Sequence, residues 1–154
     1  MRHIDMVATT VRHVIRKKLE TIRPSSTAQE AAKRMRSKKI SSLVVIEKGD
    51  APVGIVTERD LVRHVCSKDI SSDSVLIQEI MSSPIVTIDV NASIEQAADK
   101  MIQNKVRHLL IVEDGRIYGI ITPSDFTIYL TENLNMDEVN ARILQSLKED
   151  MEVQ

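Results

Sequence analysis

The chain has almost no aromatic residues: two tyrosines, one phenylalanine and no tryptophan among its 154 residues. Its hydrophobic core must therefore be aliphatic, and single-stranded nucleic acid would find few rings on which to stack its bases. No apolar run approaches the roughly 18 residues of a membrane-spanning helix, and the N-terminus lacks a signal-peptide pattern. We therefore expect a soluble, cytoplasmic protein with no membrane contact.

Cysteine and glycine are also scarce. The single cysteine, Cys66, excludes an internal disulfide and a cysteine-based zinc site, and its apolar helical context predicts a buried, inert thiol. All four glycines fall in two predicted hairpins, so none remains for a phosphate-cradling glycine loop. The four histidines show no paired metal-ligand spacing, and no serine lies in a nucleophile elbow. The sequence therefore favours a protein that is not an enzyme and holds no metal.

The formal net charge of −1 gives no bulk attraction to nucleic acid or to a membrane surface. One basic cluster stands near the N-terminus and consists of Arg12, His13, Arg16, Lys17 and Lys18. It has no helix-turn-helix companion, so a solvated face or the mouth of a cleft is favoured over a nucleic-acid contact.

An internal repeat is the most informative feature of the sequence. Residues 54–61 read Gly-Ile-Val-Thr-Glu-Arg-Asp-Leu, and residues 119–126 read Gly-Ile-Ile-Thr-Pro-Ser-Asp-Phe. Upstream of this shared Gly-apolar-apolar-Thr-x-x-Asp signature the copies match at an offset of 66 instead of 65, because one hairpin turn is a residue longer. Two such copies in a chain of this length indicate half-domains that share one core.

Each copy is predicted to form a strand, a helix, a hairpin and a second helix. In the first copy Thr27 and Glu30 have the spacing of a capping box, and the helix that follows carries Ala31, Ala32 and Met35 on one face. Strands at 43–46 and 53–56 flank a turn in which Gly49 can adopt a positive φ, and a helix follows over 58–66. The second copy predicts a strand near 85–88, a helix from Ser93 with Gln96 in its capping box, strands at 109–113 and 117–121, and a helix from Pro123.

The repeated threonine and aspartate admit two interpretations. Thr57 and Thr122 each end a strand, and an aspartate three residues later can complete a short capping box. Alternatively, the unpaired N–H groups of the two helix starts can bind an anion. Arg107 and His108 stand at the mouth of a buried strand, where they can meet a phosphate or simply form an exposed strand end.

Both signatures, with the strand-helix-strand-strand order upstream of each, resemble a tandem pair of cystathionine-β-synthase (CBS) domains, the Bateman module. The resemblance covers roughly residues 10–132. It implies an α+β (α/β) fold of two pseudo-symmetric β-α-β-β-α repeats with their sheets packed face to face, plus a C-terminal helix. We accordingly divide the chain into a first repeat (10–68), a linker (69–83), a second repeat (84–132) and a C-terminal helix (133–154).

The resemblance also implies two clefts between the repeats that bind adenine nucleotides or S-adenosylmethionine-like ligands, with no other cofactor. Asp60 and Asp125 would bind the ribose hydroxyls, and Thr57 and Thr122 would contact phosphate or ribose. Ile55 and Ile120 would line the adenine pockets, with main-chain contacts near Ile22 and Ile88. The edges of the clefts would be formed by Ile40, Ser41, Ser42, Val106, Arg107 and His108. Arg59 is a further phosphate candidate, and Ser124 is a further ligand-binding position.

Unequal cleft edges predict unequal sites, because Ser41-Ser42 occupies in the first copy the place of Arg107-His108 in the second. The function expected is a regulatory sensor of AMP, ADP or ATP that acts as a homodimer on an unidentified partner protein. The alternative is a non-catalytic interaction scaffold with vestigial clefts. The apolar stripe of the C-terminal helix either packs on its own domain or forms a dimer contact, and consists of Val139, Ile143, Leu144, Leu147 and Met151.

Overall fold

The computed structural model describes residues 9–15, 19–133 and 136–152. Its strands are β1 (Thr21–Ile22), β2 (Ser42–Ile46), β3 (Pro52–Thr57), β4 (Thr87–Asp89), β5 (Leu109–Glu113) and β6 (Arg116–Ile121). Its helices are α1 (Ala28–Lys38), α2 (Glu58–His64), α3 (Ile77–Ile80), α4 (Ile94–Asn104), α5 (Pro123–Asn133) and α6 (Met136–Glu152). Arg16, Lys17 and Lys18 of the basic cluster, and the side chain of Val139, lie outside the described residues.

The element order confirms the predicted α+β fold, with two copies of a β-α-β-β-α unit followed by a C-terminal helix. Within the described part of the chain, no helix is both long and apolar enough to cross a membrane.

The first compact unit of the chain spans Lys17–Thr87. Its sheet has the order β1-β2-β3, with β1 parallel to β2 and β2 antiparallel to β3. The predicted capping box begins α1: the N–H of Glu30 donates to the hydroxyl of Thr27 at 3.1 Å, and the N–H of Thr27 donates to Glu30 Oε2 at 3.0 Å. The core is aliphatic and consists of Ile22, Ala28, Ala31, Met35, Leu43, Val45, Val56, Val65, Val75, Ile77 and Ile80.

The second unit combines Met1–Arg16 with Ile88–Gln154. Its sheet has the order β4-β5-β6, and the predicted capping box of Ser93 and Gln96 begins α4, with hydrogen bonds of 2.9 and 3.0 Å. Its buried side chains are again aliphatic: Val11, Val14, Ile88, Val90, Ile94, Ala97, Met101, Leu109, Leu110, Ile111 and Ile121. Gly115 has a φ of 74° in the β5–β6 turn, and Gly49 has a φ of 83° in the β2–β3 turn, as predicted for Gly49.

Each unit is completed by a segment that precedes the other repeat in sequence. The leading segment, residues 9–15, belongs to the second unit, where the N–H of Val11 donates to Ala92 O at 2.9 Å. The middle segment, residues 75–81, belongs to the first unit, where the N–H of Ile77 donates to Ser26 O at 2.9 Å. Both donors and both acceptors are 66 residues apart, so the two segments are themselves copies of one another.

Further contacts follow the same offset. Thr10 forms an isolated bridge with Ser93, just as Leu76 does with Thr27. Val11 and Ile77 are both completely buried. The leading segment is also held by charge, because Arg12 pairs with Glu113 at 2.5 Å and stands 5.2 Å from the ring centre of Tyr118. The hydrogen bond to Glu113 raises the pKa of Arg12 above its ordinary value.

Four local predictions were wrong. α2 ends at His64 instead of residue 66, since Val65 leaves the helical region at φ −122° and ψ −67°. Cys66 therefore lies in the following turn and is exposed, not buried. Ala32 is also exposed, because it lies about 100° around α1 from Ala31, which is buried. β4 begins at Thr87, two residues later than expected.

Candidate functional site

The aspartate of the first repeat is held by the threonine three residues before it. The N–H of Thr57 donates to Asp60 Oδ2 at 2.8 Å, and the Thr57 hydroxyl donates to the same oxygen at 3.1 Å. The N–H of Asp60 in turn donates to the Thr57 hydroxyl at 3.3 Å, which completes a capping box. The structural interpretation of the motif is therefore correct for this copy.

The second repeat reproduces this geometry. The N–H and the hydroxyl of Thr122 donate to Asp125 Oδ2 at 2.8 and 3.2 Å. The N–H of Asp125 donates to the carbonyl of Thr122 at 3.1 Å instead of to its hydroxyl. In each repeat, therefore, the N–H and the hydroxyl of the threonine both donate to Oδ2 of the aspartate.

Capping involves only one of the two oxygens of each carboxylate. Among the residues that the structure describes, neither Asp60 Oδ1 nor Asp125 Oδ1 accepts a hydrogen bond. Both aspartates are partly exposed, so solvent or a ligand can reach them. An ionised carboxylate with one oxygen anchored presents the other as an oriented acceptor for a hydroxyl group. The two interpretations of the motif are therefore compatible.

Strand pairing brings the expected cleft-edge residues of the first repeat beside this carboxylate. Ser42 on β2 is the direct partner of Thr57 on β3, and the carbonyl of Ser41 accepts from the N–H of Glu58 at 3.0 Å. Ile40 is half-buried just before them. Arg59 is exposed, and its side chain makes no ion pair with the described residues.

The second repeat carries its basic residues at the corresponding place. Leu109 pairs with Ile121, and the same register extended by one residue sets His108 opposite Thr122, as Ser42 is opposite Thr57. Arg107 is exposed and precedes His108, which is half-buried. Val106 is half-buried, and Ser124 is exposed in the first turn of α5. The difference between the two copies noted in the sequence thus lies next to the capped aspartates.

The expected adenine-pocket residues are less closely grouped. Ile55 pairs with Val44, whereas Ile22 pairs with Val45, so the Ile55 and Ile22 side chains lie on opposite faces of the first sheet. Ile22 is a core residue at 2% exposure, which leaves its main chain for any ligand contact. In the second repeat Ile88 is buried and Ile120 is half-buried.

Sequence reasoning missed a contact on the free edge of β3. Ser82 forms an antiparallel bridge with Ile55, donating to Ile55 O at 2.8 Å and accepting from Ile55 N at 3.0 Å. Gly54 permits this approach, since a Cβ there would lie 2.7 Å from Ser82 O and 2.9 Å from Met81 Sδ. The sequence placed Ser82 in the linker, and only the glycine in the neighbouring strand signalled a close backbone contact.

No group of three or more histidine, cysteine, aspartate or glutamate side chains in the described ranges could hold a metal ion. The residues placed at the site supply hydroxyl, carboxylate, guanidinium, imidazole and aliphatic groups. Such a set can bind a polar, hydroxyl-bearing molecule with an apolar ring, and it offers a cation for an anionic group in the second repeat.

Comparison with known proteins gives a consistent result. The CBS domain family matches residues 11–67 and 77–132. An uncharacterised protein of Methanopyrus kandleri is 38% identical over 121 residues, which cover 78% of this chain and 62% of that protein. The chain therefore spans less than two thirds of that relative's length.

Two solved structures are similar along most of their length. An uncharacterised conserved protein of Pyrococcus horikoshii has a TM-score of 0.77 at 32% identity, covering 86% of this chain and 98% of the other. A candidate signal-transduction protein with CBS domains from Burkholderia ambifaria has a TM-score of 0.75 at 28% identity, covering 82% and 97%.

Proposed function

The chain belongs to the CBS domain family, and we propose that it is a regulatory module that binds an adenosyl ligand such as AMP, ADP or ATP. The observation that supports this most strongly is the pair of carboxylates Asp60 and Asp125, each of which has one oxygen in hydrogen bonds and one oxygen open. Each has Oδ2 fixed by a threonine and Oδ1 open. The two adjacent hydroxyl groups of a ribose can donate hydrogen bonds to an oriented carboxylate.

Ligand binding would regulate by linkage. A ligand that contacts both repeats more favourably in one arrangement shifts the population toward that arrangement, and so changes the surface that a partner protein meets. No catalytic group is required for this role. The relative from Burkholderia ambifaria, described as a candidate for signal transduction, supports a regulatory role of this kind.

The two repeats should differ in their preference for phosphate. Arg107 and His108 of the second repeat flank Thr122, whereas Ser41 and Ser42 flank Thr57 in the first. A guanidinium brings a positive charge and several donors to phosphate oxygens, whereas a serine hydroxyl brings one uncharged donor. We infer that the second repeat provides the stronger phosphate contact.

A thermal-shift panel tests the proposal, with AMP, ADP, ATP, NAD and S-adenosylmethionine as probes. The control is Asp60→Asn combined with Asp125→Asn. An asparagine oxygen can still accept from the threonine, but the open Oδ1 becomes an amide donor. We expect at least one adenosyl probe to raise Tm in the wild type and not in the double variant. No shift with any probe would favour the interaction-scaffold alternative.

A further inference from the structure

Charge is distributed unevenly between the two units, although the chain as a whole is nearly neutral. The first unit, residues 17–87, contains twelve basic and nine acidic residues. The rest of the chain, which forms the second unit, contains nine basic and thirteen acidic residues. The formal net charges are therefore +3 and −4. An anionic partner responds to the local field of a protein, so a total charge near zero does not describe what the first unit attracts.

The unpaired cations of the first unit lie on the outer side of its two repeat helices. α1 and α2 both pack on the face of the sheet that carries Leu43, Val45 and Val56. On their opposite sides, five exposed side chains form what we call the basic surface: Lys33 and Arg36 of α1, Lys39 at its C-cap, and Arg59 and Arg63 of α2. None of the five forms an ion pair with the residues that the structure describes.

Other charged residues of the same helices stabilise the fold. Arg34 donates to a main-chain carbonyl of β1, and Lys38 lies 3.7 Å from the glutamate just before β1. Among the three acidic residues of α1 and α2, Glu30 and Asp60 are held in capping boxes, which leaves Glu58 as the one outside such a contact. The five cations of the basic surface have no comparable structural role within the described ranges.

The second repeat is an internal control for these charges. It forms the same two helices, but different residues stand at the five matching positions: Asp99, Ile102, Lys105, Ser124 and Ile128. One cation and one carboxylate thus stand where the first repeat has five cations. The fold of a repeat does not require the basic surface, so its charges are available for a partner.

The composition of the basic surface fits a polyanion better than a folded protein. Interfaces between proteins exclude charged residues from their centre, whereas interfaces with nucleic acid are more polar and much more positively charged. Val62 is the one large, strongly exposed apolar side chain on α1 and α2. Most of the other exposed apolar side chains lie on α6, whose stripe the rest of the described chain leaves uncovered: Ile143, Leu144, Leu147 and Met151.

Two other kinds of polyanion fit this surface less well. A helix that binds a membrane surface inserts a broad apolar face between the lipids, and neither α1 nor α2 presents one. Single-stranded nucleic acid stacks its bases on aromatic rings, and neither helix contains phenylalanine, tyrosine or tryptophan. A duplex keeps its bases stacked inside and presents phosphates on its outside, which cations alone can bind.

We propose that the basic surface binds the phosphate backbone of a nucleic-acid duplex without reading its sequence. α1 is roughly 16 Å long, a length over which duplex DNA presents about ten phosphate charges. Lys33 and Arg36 stand one turn apart on α1, as Arg59 and Arg63 do on α2. Each cation can form a charge-assisted hydrogen bond with a phosphate oxygen and release a condensed counterion.

Fluorescence anisotropy of the full chain with a short labelled DNA duplex tests the proposal over a series of KCl concentrations. We expect the logarithm of the association constant to fall with log[KCl] with a slope of about −4 to −5, since each of five phosphate contacts contributes about −0.9. Lys33→Gln, Arg36→Gln and Arg63→Gln should each weaken binding and make the slope shallower by about one. Glutamine is a good helix former, and circular dichroism verifies that each variant keeps its helical content.

Arg116→Gln is the matched control, because Arg116 is an exposed cation at the start of β6, in the second unit. It should leave the affinity and the salt slope unchanged. A loss of binding with Arg116→Gln but not with Lys33→Gln, Arg36→Gln or Arg63→Gln would contradict the proposed surface.

Further probes distinguish backbone contact from other kinds of attraction. Two DNA duplexes of unrelated sequence should bind with the same Kd, and a strong preference for one would contradict backbone recognition. An RNA duplex offers the same phosphates in another helical form, and binding of either duplex with the expected salt slope supports the proposal. No binding to either duplex at low salt would overturn it. So would equal binding of polyglutamate, or binding only to vesicles of phosphatidylserine and phosphatidylcholine.

The duplex contact goes beyond the adenosyl site and does not depend on it. The combined Asp60→Asn and Asp125→Asn variant should bind the DNA duplex as tightly as the wild type while it loses its response to the adenosyl probes. Failure of duplex binding therefore leaves the adenosyl proposal intact, and failure of every adenosyl probe leaves the duplex contact to be decided by the salt series.

Discussion

Val11 donates its backbone N–H to the carbonyl of Ala92 at 2.9 Å and is completely buried in the second unit. Ile77, its counterpart 66 residues later, makes the equivalent bond to Ser26 in the first unit. A segment that resembles the start of one repeat therefore completes the core of the other. Each segment should therefore stabilise the unit that it contacts, and not the repeat that it precedes in the sequence.

Val11→Ala should destabilise the second unit selectively. The substitution removes two buried methyl groups and leaves a small cavity, which costs about 2 kcal/mol of unfolding free energy. Hydrogen exchange measured by mass spectrometry should rise in 88–133 more than in 19–68. Ile77→Ala is the matched control and should raise exchange in 19–68 instead. If Val11→Ala raised hydrogen exchange mainly in the first repeat, the leading segment would not belong to the second unit.

Gly54→Ala and Gly119→Ala should differ in their effect on stability. A Cβ at Gly54 would lie 2.7 Å from the backbone carbonyl of Ser82, which can move only if the chain just after the middle segment moves. A Cβ at Gly119 would lie 3.1 Å from Ile15 Cγ2, at the end of a side chain that can adjust.

We expect Gly54→Ala to lower the free energy of unfolding by about 2 kcal/mol, as overpacking does. Gly119→Ala should stay within about 1 kcal/mol of the wild type, since alanine also restricts the unfolded chain. Denaturant titration of both variants measures the difference. Equal losses would mean that the contact at Ser82 O is relieved without cost.

The parts of the fold that were predictable depend on contacts within a few residues. The capping boxes at Thr27 and Ser93 follow from a side chain and a backbone N–H three residues apart, and the positive φ of Gly49 follows from a hairpin turn. The assignment of the leading segment to the second unit, and of the middle segment to the first, could not be predicted in this way. Val11 and Ile77 are both apolar, and either side chain suits either core, so the sequence does not say which repeat each one joins.

The candidate site was predictable to a similar degree. The repeated signature identified Asp60 and Asp125 and suggested a capping role, which the geometry confirms for Asp60. The open Oδ1 atoms and the bridge from Ser82 to Ile55 depend on three-dimensional packing and could not be read from spacing alone. The exposure of Cys66 was mispredicted because α2 ends at His64, two residues before the cysteine.

Arg107→Ala should weaken phosphate-bearing ligands selectively. Loss of a charge-assisted hydrogen bond costs about 1.5–3 kcal/mol, or roughly ten- to hundredfold in affinity. We expect isothermal titration to show this loss for ATP and little change for adenosine. Arg59→Ala is the matched control in the first repeat, where Ser41 and Ser42 replace the basic pair, and should have a smaller effect. An equal loss from both variants would contradict the proposed inequality of the repeats.

Asp60→Asn and Asp60→Ala should separate the capping role from ligand binding. Alanine removes Oδ2, the single oxygen that accepts from both the N–H and the hydroxyl of Thr57, which should lower the free energy of unfolding by about 1 kcal/mol, as for loss of a cap. Asparagine retains one acceptor and should cost less. Both variants should weaken the adenosyl ligand by roughly tenfold or more, because both remove the open, charged Oδ1. Denaturant titration and isothermal titration of the same samples measure the two effects. Normal affinity in Asp60→Asn would assign this carboxylate to capping alone.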